Sequence, residues 1–480
     1  MTVPRLSNLV GGEWRSTGDW LEVRDPADRR HVVAEVPAMG ADDVAEVYEA
    51  AREGAALWRR TSPVARGRIL LGAAALLRRD IDEIARTLTR EMGKTLSEAR
   101  AETNKAAEFF EYCAALGRAA QGELLADERA GAHAWTVREP VGVVLAICPW
   151  NDPLLTPARK LGPALITGNA VILKPATYTP AVSLHLARVF ADAGLPPGVL
   201  GTVTGPAARI ADALLADETL AAVSFTGSTE VGHTLREALA ARNVKLLAEL
   251  GGKNAAVVLG DADLDLAAQT IAPAAFAQAG QRCTATSRVI VDRSVLEPMV
   301  ERLTARAEAV VVGPGLDERT TMGPLVSLEQ RTLVAGFVER ALADGARGEV
   351  TELDDERLSN GCFHPPVVVY DVDPASEIWQ EEVFGPVVAV VAVDDLDHAL
   401  EVLNDSRYGL AAGVFTRDLR SAHRFCDEAD VGQVAVNLPT SGWDVHMPFG
   451  GFKESGSGAK EQGVEGLSFY TRTKTVALAA

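Results

Sequence analysis

Cys283 stands in a short polar turn, Ala279-Gly280-Gln281-Arg282-Cys283-Thr284-Ala285-Thr286-Ser287. An apolar segment precedes it (Ile271 to Phe276) and a β-branched run follows it (Val289 to Val291). Such a turn can hold a thiol exposed, with backbone N–H groups beside it. A thiolate is a strong nucleophile, and a nearby base or positive potential makes it more available. A lone cysteine is more often a small buried hydrophobe. The nucleophilic reading therefore depends on partners elsewhere in the chain.

Four further stretches carry residues with chemistry, each at the carboxyl end of an expected strand. In Pro149-Trp150-Asn151-Asp152-Pro153, the Asn151 amide can donate to a developing oxyanion; an ordinary turn also uses Asn, Asp and Pro. In Lys174-Pro175-Ala176 the lysine can bond a ribose or phosphate, or be a solvated edge residue. Phe225-Thr226-Gly227-Ser228-Thr229-Glu230-Val231-Gly232 lies between strand and helix, where N–H groups and a hydroxyl suit a pyrophosphate. Its GxxxxG spacing matches neither GxGxxG nor a phosphate loop with Lys, and a plain helix cap has the same composition. In Glu249-Leu250-Gly251-Gly252-Lys253-Asn254 a carboxylate at a seam between units suits general-base work; by itself it reads more readily as an exposed turn glutamate.

The elements that must position these residues follow from periodicity. Residues 7–36 read as short strands with turns at Gly11-Gly12 and Asp25-Pro26. Val44, Val47, Tyr48 and Ala51 recur at helical spacing. Ser62-Pro63 reads as a helix start, Gly93 as a stop, and a further helix spans about 97–116. Residues 122–140 break the pattern and read as a β-hairpin leaving the domain. From Val141 strands alternate with helices up to about 250, which predicts a doubly wound parallel sheet. A second α/β unit follows from near Gly252 to about Asn437. The tail from Leu467 to Leu478 alternates like a strand and can pair with the 122–140 excursion.

Composition sets the broad class. At 480 residues the chain has room for about three domains. A net charge of −19 argues against nucleic acid or an anionic membrane as partner. No signal-peptide pattern opens the chain and no apolar run is long enough to span a bilayer. The five scattered cysteines show no CxxC, and the eight histidines no HExxH. No disulfide framework or metal site is expected, and a reducing cytoplasm fits.

Taken in this order, the stretches resemble the aldehyde dehydrogenase superfamily over essentially the whole chain. Glu381-Glu382-Val383-Phe384-Gly385-Pro386 and Pro448-Phe449-Gly450-Gly451-Phe452-Lys453-Glu454-Ser455-Gly456 add to the resemblance. It implies a cofactor domain (1–121 and 141–250), a catalytic domain (251–455) and a small β oligomerisation arm (122–140 and 456–480). It implies Cys283 as nucleophile, Glu249 as base for the deacylating water, and the Asn151 amide with the Cys283 N–H as oxyanion donors. Lys174 and Glu382 would hold the cofactor riboses, and Trp150, Gly227, Ser228 and Phe384 would line the cofactor site. The reaction implied is NAD(P)-dependent oxidation of an aldehyde to an acid, in a homodimer or homotetramer.

NAD-preferring members of the family often carry Glu three residues after the ribose lysine. Thr177 stands there, which removes repulsion toward a 2′-phosphate and suggests that NADP is accepted. By position relative to the motifs, specificity is expected from Asp152, Thr156, Arg159, Arg282, Thr284, Trp443, Val445, His446 and Phe449. Where Asp152 sits, many members have an aromatic residue, so a polar tunnel mouth is expected. Arg159 can face the tunnel and pair with a substrate carboxylate, or instead be a surface arginine or a partner for Asp152. The stretches around Cys283 and 437–451 resemble 2-oxoglutarate semialdehyde dehydrogenases, which points to a short carboxylated semialdehyde. Aromatic or small hydroxylated aldehydes are the alternatives. So are a relative that passes its thioester to coenzyme A, against which Glu249 argues, and a non-catalytic protein on the same fold.

Overall fold

In the computed structural model, which describes residues 3–119, 122–353 and 355–479, two parallel sheets meet at the predicted strand ends. The first has five strands in the spatial order Lys245–Glu249, Leu220–Thr226, Val143–Ile147, Ala170–Lys174, Leu200–Thr202, all parallel. Chain order reverses direction at Val143–Ile147. Its carboxyl end and that of neighbouring Leu220–Thr226 therefore flank a topological switch point, where such sheets bind ligands.

Helices cover this sheet as the periodicity predicts. Ala41–Arg60 buries Val44, Val47, Tyr48 and Ala51. Ser62 caps Pro63–Arg79 by accepting from the Ala65 N–H, and Gly93 ends Ile81–Met92 at φ +98°. The next helix, Leu96–Leu116, starts one residue earlier than predicted, because Thr95 and Glu98 form a reciprocal capping box.

The second sheet has seven strands. Arg347–Gly348 pairs antiparallel at one edge; Val367–Tyr370, Val387–Val393, Thr286–Asp292, Asn254–Val258, Ala411–Phe415 and Gln433–Val436 follow in parallel. Asn254–Val258 is fully buried, and Val257 and Val258 belong to the largest apolar cluster.

The arm pairs Ala132–Pro140 antiparallel with Thr471–Ala479, from Pro140 opposite Thr471 to Ala132 opposite Ala479. The expected hairpin is completed by Leu124–Leu125 against Ala134 and Trp135. Residues 456–470, expected in the arm, pack against the first sheet instead. Ser457 Oγ accepts from the Ala248 N–H at 3.0 Å, and the buried Tyr470 hydroxyl lies 3.0 Å from Ser224 Oγ. No helix among the described residues is long and apolar enough to cross a membrane. No His, Cys, Asp and Glu cluster among them is arranged to hold a metal ion.

Candidate active site

The turn that presents Cys283 is held from several sides. The helix Leu264–Phe276 ends in a reversal in which Gln278 and Ala279 both take φ +54°. Gly280 follows at φ +68°; a Cβ there would lie 2.1 Å from the Gly385 carbonyl oxygen, so only glycine fits. The Gln281 side chain, fully buried, accepts from the Val326 N–H at 2.9 Å and donates to the Gln278 carbonyl at 3.0 Å. The Asn254 amide donates to the carbonyls of Cys283 (2.7 Å) and Ala285 (2.9 Å), while its Oδ1 accepts from the Ala411 N–H (3.0 Å). Neither residue received a role from the sequence. Both are polar residues inside the quoted motifs, and that was the available signal.

Cys283 is half-buried rather than freely exposed. Burial pushes its thiol up to about 12, and Arg159 is the charge that opposes this most. Glu249 ends its strand 3% exposed, so it is no surface turn. Its backbone is fixed by Gly227, whose N–H donates to the Glu249 carbonyl at 3.1 Å. Neither carboxylate oxygen has a hydrogen-bond partner among the described residues. Burial first, then Glu461, holds this carboxyl well above the usual range; Lys160, Arg159 and Lys460 pull the other way. Gly450, at φ +150°, allows the loop to lie against it, since a Cβ there would come within 2.7 Å of Oε1.

Cys283, Asn151 and Glu249 line one cavity of about 280 Å³ together with Trp150, Asp152, Thr156, Arg159, Gly227, Ser228, Glu382, Phe384 and Phe449. One end suits a dinucleotide. Ser228 caps the helix Thr229–Leu239, whose amino terminus meets the cavity. Trp150 and Phe384 stand edge to face with ring centroids 5.3 Å apart. Glu382 Oε1 accepts from the Gly252 N–H at 3.0 Å, and burial lifts its carboxyl to about 7. Gly251 leaves room for it, as a Cβ would sit 2.2 Å from Glu382 Oε2. Phe384 takes φ +52°, a costly conformation for a non-glycine residue. Gln330, a lining residue without a role in the sequence reading, holds that loop by donating to the Phe384 carbonyl at 3.0 Å and the Val383 carbonyl at 3.2 Å.

Arg159 lines the other end. Its guanidinium lies 4.8 Å from the Phe449 ring centroid and 3.6 Å from Glu461 Oε2, so its ion-pair partner is Glu461 and not Asp152. Its Nε is buried without a partner among the described residues. Asp152 lines the cavity but is no free polar mouth, because Lys94 donates to its Oδ1 at 3.1 Å. Burial opposes its charge; even so, Lys94 and Arg282 hold its carboxyl below the usual range.

Several expected residues lie outside this cavity. Lys174 is buried at its strand end, where its carbonyl accepts from the Cys148 N–H, and burial pushes its ammonium down. Thr177 is exposed beyond it. Arg282 donates to Gln278 Oε1 rather than lining the tunnel. Thr284 is buried, its carbonyl accepting from the Thr440 hydroxyl at 2.8 Å. Trp443 donates to the Thr440 carbonyl, Val445 packs on the core of the first domain, and His446 is exposed 3.4 Å from Asp444. Arg282, Thr284, Trp443, Val445 and His446, expected by position relative to the motifs, are not among the residues that line this cavity.

The match to known proteins is as wide as the fold. The model of the aldehyde dehydrogenase family matches residues 14–476. An alpha-ketoglutarate semialdehyde dehydrogenase of Haloferax volcanii is 42% identical, covering 99% of both chains. An alpha-ketoglutaric semialdehyde dehydrogenase of Bacillus subtilis is 38% identical, covering 98% of this chain and 97% of its own. The crystal structure of betaine aldehyde dehydrogenase from Staphylococcus aureus in complex with NAD+ superposes with a TM-score of 0.96 at 31% identity, covering 99% of this chain and 95% of that one. With a cysteine, a buried carboxylate and an asparagine around one cavity and the family model matched over residues 14–476, the chain belongs to the aldehyde dehydrogenase family.

Proposed function

We propose that the protein oxidises a short aldehyde bearing a carboxylate to the corresponding acid, using NAD or NADP. The observation that carries the substrate class is Arg159, whose side chain, 15% exposed, lines the cavity that Cys283 lines. The Haloferax and Bacillus relatives, both named for a ketoglutaric semialdehyde, agree with it.

Cys283 Sγ adds to the aldehyde carbon, and the carbonyl oxygen takes up the electron pair between the Asn151 amide and the Cys283 N–H. The bound nicotinamide supplies the hydride acceptor. The resulting thioester on Cys283 is opened by water, which gives its proton to Glu249, releasing acid and free thiol. Glu249 serves as this base in its ionised form, so acid release accelerates as pH rises. Trp150, Gly227, Ser228, Glu382 and Phe384 would hold the dinucleotide. Lys174 and Thr177 lie at the strand end beyond the cavity, toward the adenosine side in this reading. With no carboxylate at Thr177, NADP is accepted. We read the five free cysteines as those of a protein in a reducing cytoplasm, and the arm as the contact that makes a homodimer or homotetramer.

Initial rates of nicotinamide reduction test this reading. Succinic and 2-oxoglutaric semialdehydes, benzaldehyde, propanal and lactaldehyde would each be run with NAD and NADP. The carboxylated aldehydes should lead, and Arg159→Leu should cut kcat/KM for them about 10- to 100-fold further than for propanal, which shares only the loss of the charge beside Cys283. A best rate with an uncharged aldehyde would remove the substrate assignment, and a strong NAD preference would remove the Thr177 argument.

A further inference from the structure

Asn151 is followed directly by Asp152, and Cys283 is preceded directly by Arg282. The two oxyanion donors thus come from segments at the ends of two different sheets. Between those segments lies a buried polar assembly that the reaction as described does not use. Lys94, fully buried, donates to Asp152 Oδ1 at 3.1 Å and pairs with Glu102. Gln278 Nε2 donates to the same Asp152 Oδ1 at 3.0 Å. Gln278 Oε1 in turn accepts from Arg282 Nε, and the Gln278 N–H donates to Glu98 Oε1 at 2.8 Å. Glu102 Oε1 accepts from the N–H groups of Leu154 and Leu155, both at 2.9 Å, where the helix after Asn151 begins. The chain of contacts runs unbroken from the Asn151 segment to the Cys283 turn.

We propose that Asp152 is a positioning residue: through Lys94 and Gln278 it ties the segment carrying Asn151 to the turn carrying Cys283 and so sets the spacing of the two oxyanion donors. The proposal rests on the assignment of Asn151 and the Cys283 N–H as those donors. Its physical basis is one carboxylate oxygen shared by two donors from separate elements. Removing the charge leaves Lys94 with a single counter-ion and weakens the acceptor that holds Gln278. A displacement of about 1 Å at a reacting centre costs about 100-fold in rate. Because Asp152 also lines the cavity, direct contact with substrate is the rival role.

The test uses the full-length enzyme with Asp152→Asn, Gln278→Met and the double variant. Dehydrogenase turnover over the aldehyde panel and hydrolysis of p-nitrophenyl acetate both pass through an oxyanion on Cys283, the second without cofactor. Alkylation by iodoacetamide displaces iodide at a tetrahedral carbon and forms no oxyanion. Each single variant should lose about 10- to 100-fold in both acyl reactions, uniformly across aldehydes and in kcat rather than KM. Alkylation should stay within about twofold in Gln278→Met and should not fall in Asp152→Asn, whose lost charge favoured the neutral thiol, and the double variant should lose no more acyl activity than Asp152→Asn alone, because both cut one link. A loss confined to one aldehyde class or to KM would make Asp152 a substrate contact. Unchanged rates, or alkylation falling in parallel, would equally overturn the proposal. Should Asp152→Asn not fold, Gln278→Met cuts the link from the other side and carries the same expectation. Asn151→Ala separates the two levels: if it keeps both acyl activities, the underlying donor assignment fails whatever Asp152 does.

Discussion

In the proposed mechanism Cys283 and Glu249 both act as anions, yet their surroundings favour the neutral forms. For Cys283 burial outweighs the nearby Arg159 and leaves the thiol near 12. Below that value the thiolate fraction grows tenfold with each pH unit. Alkylation of Cys283 by iodoacetamide should therefore rise about tenfold from pH 7 to 8, and about tenfold again from 8 to 9. A rate that levels off below pH 8 would mean that some other charge already ionises the thiol. That Cys283, Glu249 and Asn151 meet at one cavity was legible because their motifs occur together and in order. Their burial was not. Glu249 alone reads as an exposed turn, and what encloses it is Gly450 with the segment that bears Ser455 and Glu461, remote in sequence.

Among elements, those with a clear period were read closely: the helix Ala41–Arg60 and the alternating strands and helices after Val141 match their predicted places. Asn254–Val258 is less legible, because only Leu250 to Lys253 separate it from the strand that ends at Glu249. That strand begins with the residue that holds the nucleophile's turn. Asn254→Ala would leave the Cys283 and Ala285 carbonyls and the Ala411 N–H without their partner. We expect it to destabilise the protein by about 3 kcal/mol and to slow turnover. A thermal unfolding midpoint unchanged from wild type would show that water replaces the amide without cost.

For the whole molecule, the two α/β units and the pairing of the tail with the 122–140 excursion were legible, whereas the path of residues 456–470 was not. That stretch has no strong period, and its place is set by individual contacts such as Lys160 with Glu461. The arm leaves Leu124 82% exposed and Leu478 55% exposed, apolar surface that a second copy would cover. Leu124→Glu combined with Leu478→Glu should shift the protein to monomers by light scattering, and an unchanged mass would place the contact elsewhere. The same tail has a consequence for synthesis. Domains tend to fold from the amino terminus as they emerge from the ribosome, but here the first sheet's packing includes Phe469 and Tyr470, and the arm strand Ala132–Pro140 waits for Thr471–Ala479. The amino-terminal unit cannot finish until residues 469–479 have left the exit tunnel. Until then the apolar surface that Phe469 and Tyr470 cover stays open, a surface for chaperones to hold.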